Sequence, residues 1–169
     1  IEFLDEEKLS LTENSLVYID EAYYDPDPSK SKMAISMVRG TARFASGAGN
    51  RIKKQNVDVS TPTANITMRG TDFTTTIDEL GRTMVVLLPD EETGASSGEI
   101  VVYNDGGEVV LTEAYAATVV SSYDTPPTQS VIIQGITPNL IDNMFIVNPP
   151  SEIREQIEED YRDEKDQDQ

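Results

Sequence analysis

Asp25 and Asp27 bracket a proline, and Asp90, Glu91 and Glu92 stand in a row. Carboxylates grouped in this way have two chemistries open to them. They can ligate a hard cation such as calcium, or a pair held ~5–10 Å apart in a cleft can hydrolyse a glycoside. Neither cluster has the alternating ligand spacing of an EF-hand loop. Among 31 Asp and Glu residues nothing singles out a catalytic pair. Both clusters therefore read as solvated charge. The chain has no histidine and no cysteine. A Ser-His-Asp triad, an imidazole base, a thiolate nucleophile, a Cys/His zinc site and a disulfide are all excluded. No glycine-rich phosphate loop is present either. The expectation is a protein that is not an enzyme and takes no cofactor or metal.

A second pattern is Arg-Gly-Thr, which occurs at Arg39-Gly40-Thr41 and again at Arg69-Gly70-Thr71, where Asp72 and Phe73 follow. Both copies sit in apolar, strand-like sequence. Glycine lets a strand turn a corner or lets another backbone approach closely. The Arg69 guanidinium offers five donors in a fixed fork, enough to satisfy backbone carbonyls or to pair with Asp72. Thr71 can bond its own backbone, and Phe73 puts a ring into the core. The copy at Gly40 lacks the aspartate and reads as an analogous corner. The expected role is structural, with an adhesive or ligand-contacting loop as the alternative.

The elements that must position these residues are strands. Most of the chain alternates with period two and is rich in β-branched residues. IEFL, KLSL, SLVYI, MAISMVRGTARF, VDVS, ANITMRGTDFTTTID, RTMVVLL, EIVVYN, EVVLT, AYAATVVSSY and SVIIQGI all read as strands, and NMFIVN as a last short one. DELG and NDGG are tight-turn signals, YYDPDPSKSK is a loop, and PDEETGASSG is a polar insertion. About a dozen short strands predict an all-β fold, either an irregular β-solenoid or a β-sandwich. In the solenoid version MVRGTARF and ITMRGTDF would be successive rungs. At 169 residues the chain can build one real core. The domain spans 1–147, and 148–169 forms an acidic C-terminal helix and tail. Ser151 caps that helix, and Ile153, Ile157 and Tyr161 recur along one narrow face. Such a stripe would not hold a helix alone in water, so it must dock on the domain or on a partner.

Charge limits the partners. The net charge is −18, which argues against nucleic acid. Residues 1–30 hold nine acids and two bases, whereas residues 31–60 hold one acid and six bases. Arg51, Lys53 and Lys54 form the one dense basic patch, read either as solvated loop or as a docking point for an acidic neighbour. No run approaches the ~20 apolar residues of a membrane span. The chain starts in strand-like sequence without an initiator Met, so the N-terminal part of the domain is expected upstream.

VDVSTPTANITMRGTDFTTTIDELGRTMVVLL is the most specific stretch. Through Thr61, Pro62, Thr63, Ala64, Arg69, Gly70, Thr71, Asp72 and Phe73 it resembles the FecR domain family, with Gly81 at the family's turn. The resemblance runs over roughly residues 1 to 133. Family members include bacterial regulators that pass a signal from an outer-membrane receptor to a sigma factor. Asp78-Glu79-Leu80-Gly81-Arg82, Val86-Leu87-Leu88-Pro89 and Pro149-Pro150-Ser151-Glu152-Ile153 are similar to segments of FecR-domain proteins carried by tailed marine phages. That resemblance implies a structural virion protein of the tail, baseplate or neck, joined to other virion proteins and to copies of itself. The alternative is a periplasmic signalling domain that binds a receptor domain. A third reading is an adhesive or carbohydrate-binding module.

Overall fold

The computed structural model describes residue 1 and residues 8–23, 25–27, 30, 32–45, 56–69, 71–90 and 93–133. Eleven strands form among them: β1 (Lys8–Leu11), β2 (Leu16–Tyr23), β3 (Lys32–Ala45), β4 (Asn56–Ser60), β5 (Asn65–Arg69), β6 (Phe73–Ile77), β7 (Thr83–Leu87), β8 (Ile100–Asn104), β9 (Gly107–Leu111), β10 (Ala116–Val120) and β11 (Val131–Ile132). There is no α-helix among the described residues. The expected C-terminal helix, the strand NMFIVN and the boundary at 147 lie outside them.

The strands make one sheet in the order β11-β10-β7-β6-β3-β4-β5-β8-β9, with β1 and β2 also on β3. β3 is the hinge of the whole arrangement. Its first part pairs with β2 and, in parallel, with β4. From Gly40 onward it pairs with β6 and β1 instead. One strand thus serves two half-sheets, and the sheet curls over the core until β9 and β10 come together without pairing. The register shows how far β3 bends. Lys32 lies across Asn56 from Arg69, and Phe44 pairs with Phe73. Arg69 and Phe73 are four residues apart, so the two ends of β3 return to the same end of the domain.

Alternation explains the core. Met33, Ile35, Val57, Val59, Ile66, Met68, Ile100 and Val102 point inward from one half and Ala42, Phe44, Phe73, Val85 and Leu87 from the other, and all are buried. Each large apolar side chain taken fully out of water contributes ~1.5–3 kcal/mol. Phe44 and Phe73 stack across the β3–β6 pair with ring centroids 5.7 Å apart. The outer face of the β6–β7–β10 half carries a second cluster of Val86, Leu88 and Ala117.

Three sequence expectations are corrected. The fold is a curled sheet and not a solenoid, because every pair except β3–β4 is antiparallel whereas stacked rungs pair in parallel. The two Arg-Gly-Thr stretches are not adjacent rungs, since β4 lies between β3 and β5. ANITMRGTDFTTTID is two strands and not one. β5 pairs with β4 and β8, whereas β6, entered after Thr71 and Asp72, pairs with β3 and β7.

Candidate functional site

The motif residues divide between two ends of the domain. At one end three hairpin turns meet. Thr61-Pro62-Thr63-Ala64 closes the β4–β5 hairpin, with Thr61 N donating to Ala64 O at 2.8 Å. The Thr61 hydroxyl accepts from Ala64 N at 3.0 Å and bonds the Thr83 hydroxyl at 2.8 Å, while Thr63 reaches the same Thr83 Oγ1 at 2.7 Å. Thr83 opens β7 in the opposite half, so the TPTA turn is a clasp between the half-sheets. Pro62 lies against Gly81 of the next turn, where φ is +82° and an L side chain is disfavoured.

That next turn is organised by Asp78. Its carboxylate accepts from Leu80 N and Arg82 N, each at 2.9 Å, and from Arg82 Nε at 2.5 Å. Desolvation pushes the carboxyl upward. The Arg82 side-chain bond, the two backbone N–H groups and the Arg82 charge outweigh it and hold the group below the ordinary aspartate range. The third turn centres on Asn104. Its Oδ1 accepts from Gly106 N at 2.8 Å, and its Nδ2 reaches Thr125 O at 2.6 Å, Ser122 O at 3.0 Å and Thr63 O at 3.2 Å. Asn104 therefore ties the β8–β9 turn to the TPTA turn and to the loop after β10.

The kink in β3 belongs to the same end. Gly40 has φ +97°, and a Cβ there would come within 2.6 Å of Ser15 Cα. The Thr12–Ser15 turn sits on it: Thr41 N donates to Thr12 Oγ1 and Ser15 Oγ at 3.2 Å, Thr12 N donates to Thr41 O at 3.0 Å, and Arg39 Nε donates to Asn14 O at 3.0 Å.

At the other end, Thr71, Asp72 and Phe73 are buried. Asp72 N donates to Ser97 Oγ at 3.1 Å, and Ser97 Oγ donates to Leu88 O at 2.6 Å. Leu88 N donates to Asp72 O at 2.9 Å. A Cβ on Gly98 would overlap Thr71 Oγ1. Gly70 and the side chain of Arg69 lie outside the description, as do Arg51, Lys53, Lys54, Ile153, Ile157 and Tyr161. The structure does not bring the two Arg-Gly-Thr stretches together. Ser97, Asn104 and Thr83 were missed in the sequence, and only their place beside turn signals pointed to them.

In the carboxylate clusters Asp25 and Asp90 are held by local bonds, and Glu91 and Glu92 lie outside the described residues. Asp25 accepts from Asp27 N at 2.8 Å and from the Tyr23 hydroxyl at 3.1 Å, which raises the Tyr23 phenol above its usual range. Asp90 accepts from Thr93 N at 3.2 Å. Among the described residues no three acidic side chains are placed to hold a metal. What the described surface does offer is strand edges and exposed apolar side chains along them, Tyr18, Ile19, Tyr23, Val131 and Ile132.

The TPTA turn, the crossing at Thr71-Asp72-Phe73 and the Gly81 turn all fall within residues 1–90, and over those residues the chain matches the sequence profile of the FecR protein family. This chain belongs to the FecR family. Two crystal structures of a candidate anti-sigma factor from Parabacteroides distasonis ATCC 8503 share the fold, with TM-scores of 0.53 and 0.52 at 14% and 16% identity. The likeness covers 76% of this chain and 52% of the other, so this chain spans about half the length of that protein. No curated protein matches. The FecR match ends at Pro89-Asp90, yet Ile100, Val102, Leu111, Ala116 and Val120 complete the same core. The folded unit therefore runs past the matched residues.

Proposed function

We propose that this FecR domain is a periplasmic signalling module that works by binding another protein, a receptor domain, and so regulates a sigma factor. Family membership over residues 1–90 carries the reading. The shared fold with a candidate anti-sigma factor supports it. Neither comparison lends support to a place in the tail, baseplate or neck of a phage virion, or to assembly with copies of itself. The domain on this reading is a rigid presenting scaffold: hydroxyl and amide bonds lock its turns, and its edges and loops do the contacting.

The test has two arms. Deleting the gene in its source cell should change transcription from promoters of a linked sigma factor, and the purified domain should bind the periplasmic domain of the cognate outer-membrane receptor. Unchanged transcription would overturn the signalling reading. Finding the chain at fixed stoichiometry in purified phage particles would replace it with the virion reading.

A further inference from the structure

β2 is the longest stretch of exposed strand among the described residues. Six of its eight residues, Tyr18 through Tyr23, are exposed. Among the described residues it pairs with β3 alone, and only along one side. In an antiparallel strand alternate N–H and C=O groups point away from the partner, so among the described residues the other side of β2 is an open ladder. Tyr18 and Ile19 are 56% and 45% exposed, and Tyr23 is 53%. Ile19 lies opposite Ile35 and Ala22 opposite Met33, so these two stand on the face that covers the core. Tyr18 and Tyr23 lie opposite Ser36 and Lys32 on the outward face. An added strand would find apolar surface on both faces.

Charge selects what that strand can be. Residues 13–27 contain five acids, Glu13, Asp20, Glu21, Asp25 and Asp27, and no base. The register shifts between Ile19 and Glu21, which leaves Asp20 unpaired with any β3 residue in the ladder and bonded by its carboxylate to the Ser36 hydroxyl. A bulge bearing carboxylates is a device that keeps like edges apart. Glu21 is paired with the Lys32 ammonium at 3.5 Å, but a second copy of β2 added about a dyad at Asp20–Glu21 would still set these carboxylates against each other, in a chain already at −18. A strand carrying lysine or arginine meets no such barrier.

We infer that the free edge of β2 takes, by strand addition, an extended segment of another protein in which apolar and basic residues alternate. Its backbone completes the ladder, its apolar side chains cover Ile19 and Ala22, and its cations face Asp20 and Glu21. This rests on the geometry of β2 and not on the signalling reading, since a receptor could engage a different surface.

The probe is a fluorescein-labelled peptide of alternating lysine and valine, as long as β2, titrated against the full chain by fluorescence anisotropy. It should bind, and binding should weaken as salt is added. An equally charged lysine–proline peptide, which lacks the N–H at every second residue and is held at a φ outside the antiparallel strand range, should bind about tenfold more weakly. Asp20→Lys with Glu21→Lys should also cost about tenfold while the melting curve stays in place. Hydrogen exchange should slow at the amides of β2 when the peptide is bound. Equal binding of the two peptides, no binding, or protection on another strand would overturn the inference. So would a dimer by light scattering with β2 already protected, because the edge would then be filled by a second copy.

Discussion

Gly40→Ala tests the keystone of the fold. The added Cβ would stand 2.6 Å from Ser15 Cα, closer than real carbon atoms approach. A non-glycine residue in left-handed backbone costs roughly 1–2 kcal/mol by itself. To relieve the overlap, the Thr12–Ser15 turn must also lift away. That breaks its bonds to Thr41 N, Thr41 O and the Arg39 guanidinium. Two or three such bonds at about 1 kcal/mol each bring the total to about 3–5 kcal/mol. For a chain of this size that is a fall in Tm of roughly 6–20 °C. Urea titration followed by circular dichroism gives the free energy directly. Gly94→Ala separates the two contributions: Gly94 has φ +69° but nothing within 4 Å of a Cβ, so only the backbone strain applies. Ser15→Gly should not rescue Gly40→Ala, because the Ser15 Cα remains in the way. A Gly40→Ala protein within about 0.5 kcal/mol of the parent would refute the corner, as would a loss equal to that of Gly94→Ala.

Three further outcomes follow from the same geometry. Thr83→Val removes the hydroxyl shared by Thr61 and Thr63, and should cost about 1–3 kcal/mol in urea titration by leaving the buried Thr63 hydroxyl short of a partner. Thr75→Val should gain about 1 kcal/mol, since the Thr75 hydroxyl is buried without a hydrogen bond and its side chain lies in register with Ala42 and Val85. Asp78 has a folded pKa below its unfolded one, so its contribution is present above the ordinary aspartate pKa of about 4 and lost as pH falls through the folded value. The Tm gap between the parent and Asp78→Ala should therefore be full at neutral pH and shrink as pH drops below about 4. A gap independent of pH would rule out the charge of Asp78 as its source.

Much of the strand content was legible from period-two alternation, because a side chain's face in a strand depends only on its own position. KLSL, VDVS and RTMVVLL coincide closely with β1, β4 and β7. The asparagine of NDGG closes the β8–β9 hairpin through bonds to the glycine amides two and three residues on, a purely local device. The kink at Gly40 was also announced locally, since glycine in a long β-branched run signals a corner. The absence of histidine and cysteine, read from composition alone, removed whole classes of chemistry.

Which strands become neighbours is another matter, because it depends on where the chain goes after each corner. Nothing local says that β3 leaves β2 and β4 at Gly40 to join β1 and β6, and a solenoid reading of the same strands was equally consistent with their pattern. The break inside ANITMRGTDFTTTID was hidden for the same reason. Thr71 Oγ1 donates to Glu99 O and Asp72 N to Ser97 Oγ, more than twenty residues away, so the crossing is held in part by partners that no local window contains. The open edge of β2 was likewise invisible, since an alternating strand looks the same with one neighbour or two. The sequence by itself determined the strands, their inward faces and the chemistry that is excluded. Tertiary structure alone decided the pairing, the clasp of Thr61, Thr63 and Thr83, and the single-sided pairing of β2 among the described residues. Hydrogen bonding between strands is long-range in sequence, and its geometry is settled only when the whole sheet closes over one core.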